Sequence, residues 1–184
     1  MTRRFFLVLA CIILAGADAF AQSKTTLVIL VRHAEKAAEP AADPSLTEAG
    51  LARAQALVGV LANTRVEAVI TTELLRTRET VRPLAEARRL TPEIVHTDAR
   101  DAHAKAVADA VRAHAGQAVL VVGHSNTIPA IIAALGGPKL PDICDTQYSN
   151  LFVLVVGEGR ADLVVSSYGA PSADPLMTCP RSLR

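Results

Sequence analysis

The sequence has 184 residues, with 19 Lys and Arg, 18 Asp and Glu, and a formal net charge of +1. A chain of this length forms one domain with a substantial core. The near-zero charge gives no basis for binding nucleic acid or another polyanion through overall charge, so we expect no nucleic-acid partner.

The N-terminus has the pattern of a secretory signal. A basic pair at positions 3 and 4 precedes an apolar stretch over residues 5–17, and small residues lie just before Ala21. We therefore predict that residues 1–21 are cleaved as a signal peptide and that 22–184 form a single catalytic domain. The apolar stretch is shorter than the ~20 residues that span a bilayer. A periplasmic or secreted protein without a membrane span is expected, and a retained membrane anchor is the alternative.

Two cysteines, Cys144 and Cys179, remain after this cleavage. In an exported protein an even pair favours a disulfide, which would join the C-terminal tail to the body of the domain. Two unpaired thiols are the alternative.

The first predicted strand ends in a cluster of polar side chains. Residues 27–31 are aliphatic, which is typical of a strand buried on both faces. Arg32, His33 and Glu35 follow directly. In open α/β sheets ligands bind at the carboxyl ends of the strands. A cation beside an imidazole at that edge predicts an anion site, with phosphate as its ligand.

The remaining chain alternates between helical and strand patterns. Thr47 is a candidate N-cap of the first helix, with a capping box from Ser45 as the alternative. Helices are predicted from Thr47 to near Asn63 and over 72–89, 104–115 and 128–135, and strands over 66–71, 92–96, 117–122, 149–156 and 161–168. A kink or restart is expected at Pro83, and residues 97–104 are predicted to form a polar loop.

This alternation predicts the fold class. Strands that alternate with helices form a mainly parallel sheet covered on both faces. The last two strands are joined by residues 157–160, a hairpin signal, and supply an antiparallel edge. We predict an α/β fold, a three-layer α/β/α sandwich with a mostly parallel central sheet and an antiparallel C-terminal edge.

Polar residues follow three of the predicted strands. They are Arg32 with His33, then Arg76, then His124 with Ser125 and Asn126. Parallel strands align their carboxyl ends, so these residues can share one crevice and bind a phosphoryl group. A neutral imidazole there can attack phosphorus, while the arginines stabilise the developing charge. Structural histidines, or a zinc site disfavoured by two nearby arginines, are the alternatives.

These motifs resemble the histidine phosphatase superfamily, named for phosphoglycerate mutase. The family's four motifs correspond here to Arg32-His33-Ala34, Leu46-Thr47-Glu48-Ala49-Gly50, the stretch Thr72 to Thr80, and Val121-Val122-Gly123-His124-Ser125. All four occur in the family's order, each at a predicted strand or helix junction, and the resemblance extends from Leu27 to about Leu135.

The resemblance implies roles for the site residues. His33 would be the nucleophile that forms a phosphohistidine, and Arg32, Arg76 and His124 would bind the phosphoryl group. Ser125 could donate a hydrogen bond, and no metal or cofactor is expected. Asn126 would orient the substrate or cap a helix. The expected partner is a phosphorylated small molecule, and the oligomeric state is left open.

Two departures from the family pattern bear on the chemistry. Ala34 stands where the family has glycine, so the turn after His33 must have negative φ or carry strain. The family's glutamate general acid, which follows the third strand, has no clear counterpart. Asp101, Asp98 and Glu35 are the candidates, with Asp101 preferred.

The sequence therefore predicts a metal-independent phosphatase that hydrolyses phosphomonoesters or phosphoamidates through a covalent phosphohistidine on His33. One alternative is a catalytically weak relative that only binds phosphorylated ligands. Another is a phosphatase specific for phosphohistidine or for sugar phosphates.

Overall fold

The structure is a computed structural model that describes residues 25–157 and 159–172. The predicted signal peptide and Cys179 lie outside these residues. Cys144 is disulfide-bonded, while the predicted pairing with Cys179 stays a prediction. In the described part of the chain, none of the helices has the length and apolar character needed to cross a bilayer.

Ten elements make up the described chain. In order they are β1 (Thr26–Arg32), α1 (Glu48–Val60), β2 (Val66–Thr71), α2 (Leu75–Arg88), β3 (Glu93–Ile94), α3 (Arg100–Ala113), β4 (Ala118–Gly123), α4 (Thr127–Ala134), β5 (Asn150–Gly157) and β6 (Arg160–Ser167). Alternation of strands and helices holds up to α4, and a hairpin of two strands follows.

The six strands form one mixed sheet in the order β3-β2-β4-β1-β5-β6. The strands β1 to β4 are parallel to one another, whereas β5 pairs antiparallel with both β1 and β6. The predicted α/β class with an antiparallel C-terminal edge is confirmed. In the centre, Leu27 is opposite Ala118 and Arg32 is opposite Gly123. The register thus places the ends of β1 and β4 side by side.

The aliphatic runs of β1 and β4 are buried because helices cover both faces of the sheet. Side chains alternate along β1, so Ile29 and Val31 face one layer and Val28 and Leu30 the other. The first layer contains residues of α1 and α2, namely Leu57, Val81 and Leu84, and the second contains residues of α3 and α4, namely Val107, Val111, Ile128 and Ile131. The molecule is therefore a three-layer sandwich.

Helix boundaries partly agree with the sequence patterns. Thr47 caps α1, because its hydroxyl accepts a hydrogen bond from the Gly50 amide at 3.1 Å. Helix α2 continues through Pro83 without a restart, and a kink there stays a prediction.

The region after β3 differs from the prediction. Helix α3 begins at Arg100, so the predicted loop over 97–104 is wrong in its second half. Arg100 and Asp101 are polar because they lie on the outer surface of the first turn, while His103 in the same turn is buried. The polar residues here mark the solvent face of a helix rather than a loop.

Candidate active site

The end of β1 carries His33, whose ring is fixed by the backbone beside it. The His33 amide donates to the Gly123 carbonyl at 2.9 Å, which joins the ends of β1 and β4. Its ring Nδ1 lies 2.8 Å from the Ala34 carbonyl oxygen. A carbonyl only accepts, so Nδ1 carries the proton and Nε2 keeps its lone pair. Burial lowers the pKa of His33 to about 3, and the neighbouring Arg32 contributes to the decrease. The imidazole is neutral at neutral pH.

The turn after His33 forms without the strain that a missing glycine could cause. Among the described residues, Arg89 is the one non-glycine with a positive φ, so Ala34 adopts an ordinary backbone conformation. Ala34 is fully buried, and its amide donates to the Thr80 hydroxyl at 3.0 Å. The same hydroxyl donates to the Arg76 carbonyl at 2.7 Å. Thr80 therefore links the turn after β1 to the helix that carries Arg76.

His124 lies directly after β4 and faces His33, with 5.5 Å between the ring centroids. Its Nε2 is 3.3 Å from the Thr72 hydroxyl, which is in turn 2.8 Å from the hydroxyl of Thr77. Burial lowers the pKa of His124 to about 4, with a further contribution from Arg76. The second histidine is thus also neutral, and hydroxyl groups at the start of α2 orient it.

Arg32 is buried and held by a short segment before β5. Its Nη1 donates to three backbone carbonyls, those of Cys144 at 2.8 Å, Asp145 at 3.1 Å and Gln147 at 3.1 Å. The Tyr148 ring packs against the guanidinium, with Cζ 4.2 Å from the ring centroid. The Nε atom is buried and has no hydrogen-bond partner.

Arg76 in α2 presents a second unused donor. Its Nη1 is 3.8 Å from the carboxylate of Asp43, and its Nε is buried without a partner. Burial lowers the pKa of Arg32 and of Arg76, yet an arginine stays charged at neutral pH. Two guanidinium Nε donors without partners, beside two neutral imidazoles, form a site suited to an oxyanion.

The two polar residues after His124 have different surroundings. Ser125 is half-buried, and its carbonyl accepts a hydrogen bond from the Ile143 amide at 2.9 Å. Asn126 is exposed at the N-cap position of α4, and its side chain makes no capping hydrogen bond. Their contribution to substrate binding stays a prediction.

Glu35, one of the candidate acids, is part of an ion pair. Both its carboxylate oxygens accept from the guanidinium of Arg53, at 2.7 to 3.0 Å, and Arg53 is itself buried. Burial alone would raise the pKa of Glu35, but the hydrogen bonds from Arg53 outweigh it and the net pKa is lowered. Arg53 also donates to the carbonyls of Tyr168 and Ala170, at 2.8 and 2.9 Å. This geometry gives Glu35 the surroundings of a structural carboxylate.

The other two candidate acids lie at the start of α3. The Asp98 carboxylate accepts from the Ala99 amide at 2.7 Å and is exposed, and Asp101 is exposed in the first turn. Glu73 has a different environment, because its charge acts on both Arg76 and His124. Its carboxylate accepts from the backbone amide and the hydroxyl of Thr97.

Four further residues support the site, namely Thr72, Glu73, Thr80 and Tyr148. Thr72 and Thr80 are the first and last residues of the third family-like motif, so their spacing indicates a role. Glu73 lies in the same motif, beside Thr72. Tyr148 belongs to no motif, and only the packing of the segment before β5 against Arg32 brings it to the site. Within residues 25–157 and 159–172, no group of three or more His, Cys, Asp or Glu side chains is arranged to hold a metal ion.

Two histidines and two arginines at the carboxyl edge of a mixed α/β sheet define a phosphoryl-transfer class of site. A family model, the histidine phosphatase superfamily (branch 1), matches residues 28–100. Over these residues the chain is similar to the histidine phosphatase superfamily. No curated protein matches it.

Solved structures show the same fold. SixA from Agrobacterium tumefaciens is 27% identical, with 79% of this chain and 98% of that chain covered and a TM-score of 0.56. YhfR from Bacillus stearothermophilus is 19% identical, with the same coverage of both chains and a TM-score of 0.62. The protein histidine phosphatase SixA in complex with tungstate is 18% identical, with 77% and 96% covered and a TM-score of 0.58.

Proposed function

We propose that the protein is a metal-independent phosphatase that forms a covalent phosphohistidine on His33. The match of residues 28–100 to the histidine phosphatase superfamily model supports the enzyme class. The observation that carries the mechanism is the state of the His33 ring, whose Nδ1 is engaged by the Ala34 carbonyl while Nε2 stays unprotonated. A neutral imidazole with a fixed ring is the form that can attack phosphorus.

The reaction has two steps. The Nε2 lone pair of His33 forms a bond to phosphorus as the bond from phosphorus to the leaving oxygen or nitrogen breaks, and the leaving group keeps that electron pair. Water then attacks the phosphohistidine, phosphate departs and the imidazole is regenerated. The Nε donors of Arg32 and Arg76, both buried without a partner, would bind the equatorial oxygens as charge builds up on them.

The proton for the leaving group sets the substrate range. Glu35 is engaged by Arg53, and hydrogen bonds from Thr97 outweigh burial to lower the pKa of Glu73. Ionised carboxylates donate no proton to a leaving group. The site therefore favours aryl phosphates, whose leaving group departs without a proton, and phosphoamidates, whose leaving nitrogen is already protonated. Asp101 and Asp98 remain the proposed acids, whereas the ionised Glu73 acts on His124 through its charge.

The test is hydrolysis of p-nitrophenyl phosphate in EDTA by the wild type, His33→Asn and His114→Asn. His114 follows α3 and pairs with Glu93, outside the candidate site, so its variant controls for the loss of an imidazole. We expect His33→Asn to lose at least about a thousandfold in kcat, while His114→Asn and EDTA leave the rate unchanged. Activity that persists in His33→Asn, or that EDTA abolishes, contradicts the mechanism.

Trapping the intermediate separates an enzyme from a binding protein. Rapid acid-free quenching during turnover should yield phosphate that is labile to acid and stable to base on a peptide containing His33. A catalytically weak relative would bind phosphate or tungstate and form no such adduct. For the acid, Asp101→Asn, Asp98→Asn, Glu73→Gln and Glu35→Gln are compared on alkyl and aryl phosphates, and a dedicated acid shows a selective loss on alkyl substrates.

We also propose that the protein acts outside the cytoplasm after cleavage near Ala21. The basic pair and apolar stretch at the N-terminus support this, as does the disulfide at Cys144, since disulfides persist in oxidising compartments. N-terminal sequencing of the protein purified from a cell fraction would test it. A mature chain that still begins at residue 1 or 2 would contradict it.

A further inference from the structure

The segment 144–148 holds the guanidinium of Arg32 through its Nη1 atom and through one face of its plane. Three carbonyls between residues 144 and 147 take the Nη1 hydrogens. The ring of Tyr148, next in the chain, covers the guanidinium face at 4.2 Å. These contacts leave Nε unpartnered and buried. The segment therefore determines which edge of Arg32 is left for an oxyanion.

We propose that Tyr148 is a positioning residue, which keeps the guanidinium plane of Arg32 oriented toward the phosphoryl group. This inference rests on the proposed function of the site. An aromatic ring attracts a cation over its face, and this attraction is stronger when the pair is shielded from water. Arg32 is 4% exposed. A planar cation held flat on a ring has less freedom to rotate its donors away from the substrate.

Tyr148 is also fixed relative to His33. The centroids of the two rings are 6.1 Å apart and the rings are tilted by 58°, so the tyrosine ring packs beside the ring of the nucleophile. Its backbone amide and that of Ser149 both donate to the Ser172 hydroxyl at 2.9 Å. The ring thus acts from a segment that is tied down at both ends, by Arg32 on one side and by Ser172 on the other.

The test compares Tyr148→Leu, which removes the ring, with Tyr148→Phe, which keeps it. Tungstate is the probe, with binding followed by calorimetry and inhibition of p-nitrophenyl phosphate hydrolysis measured in parallel. We expect Tyr148→Leu to weaken tungstate binding and lower kcat/KM by about tenfold. Tyr148→Phe should recover most of both. Tyr148→Met, of similar volume and without a ring, gives the same comparison where the leucine variant is unstable.

A double-mutant cycle distinguishes positioning from general damage. Arg32→Lys removes the planar group on which the ring acts. If Tyr148 acts through Arg32, Tyr148→Leu causes less than about a twofold further loss in that background. Additive losses, or a Tyr148→Leu protein that binds tungstate like the wild type, overturn the inference. A wild type that binds tungstate without hydrolysing the ester refutes only the proposed function, and one that binds no tungstate refutes both.

Discussion

Burial of two neutral histidines should make the protein's stability fall steeply below neutral pH. His33 and His124 have an ordinary pKa of 6.5 when exposed, and burial lowers these values to about 3 and about 4 in the folded chain. Between these limits the unfolded chain binds protons that the folded chain does not. The free energy of unfolding therefore decreases as pH falls below about 6.5, and the decrease ends near the folded pKa values.

The size of the effect follows from the shifts. Between pH 7 and pH 5, a histidine that becomes protonated only in the unfolded chain lowers the free energy of unfolding by about 2 kcal/mol. The two together cost about 4 kcal/mol, a large share of the 5–15 kcal/mol that is usual for a domain. His33→Asn or His124→Asn removes one of these contributions, so each variant should lose about 2 kcal/mol less than the wild type over the same interval.

Urea denaturation at pH 7 and pH 5 measures this directly. Comparing each protein with itself at the two pH values cancels any constant cost of the substitution. Comparing these losses between variants then cancels the contribution of the carboxylates that all of them share. His96→Asn is the control at an exposed position. Its Nδ1 lies 3.8 Å from a Glu73 oxygen, and such a surface pair should change the loss by less than about 1 kcal/mol. Wild type and His33→Asn with the same loss between pH 7 and pH 5 would refute the reasoning.

Three further predictions concern the packing around the site. Gly50→Ala should destabilise the protein by about 3 kcal/mol, because a Cβ there would collide with the backbone carbonyl of Glu35. Urea denaturation measures this, and a loss below about 1 kcal/mol would mean that α1 can shift away. Glu35→Gln should cost about 2 kcal/mol, since Arg53 is 4% exposed and would lose its counter-charge; an unchanged urea midpoint would contradict this. Tyr168→Phe should be neutral or stabilising by up to about 1 kcal/mol, because the hydroxyl is buried without a hydrogen-bond partner. A clear decrease in the thermal midpoint would show that this hydroxyl does make a hydrogen bond.

The sequence was sufficient to predict the fold class because the signals were local and repeated. The buried strands β1 and β4 are runs of aliphatic residues. Polar residues mark the end of each strand, with Arg32 and His33 at the end of β1 and His124 and Ser125 directly after β4. Thr47 likewise identified the start of α1 through the hydrogen-bonding chemistry of its own side chain. Such features need no knowledge of distant residues.

The surroundings of the site could not be predicted in the same way. Arg53 contacts Glu35 across 18 positions and Tyr168 across 115. Arg53 lies in α1 and its two partners lie outside that helix, so no period within one element relates them. Tyr148 reaches Arg32 because β5 returns antiparallel beside β1. These neighbours depend on chain topology. For the same reason Glu35 was available as a candidate acid in the sequence, whereas the structure commits its carboxylate to Arg53.

The contacts of Arg53 and Ser172 have a consequence for the order in which the chain acquires its parts. The strand that bears Arg32 and His33 is synthesised early, but the carbonyls of Tyr168 and Ala170 and the hydroxyl of Ser172 leave the ribosome more than a hundred residues later. A nascent chain that stops before them has the nucleophile without its supports. The site is therefore complete only when the last described residues of the domain have been synthesised. A chain terminated before them would lack the contacts that order the phosphoryl pocket.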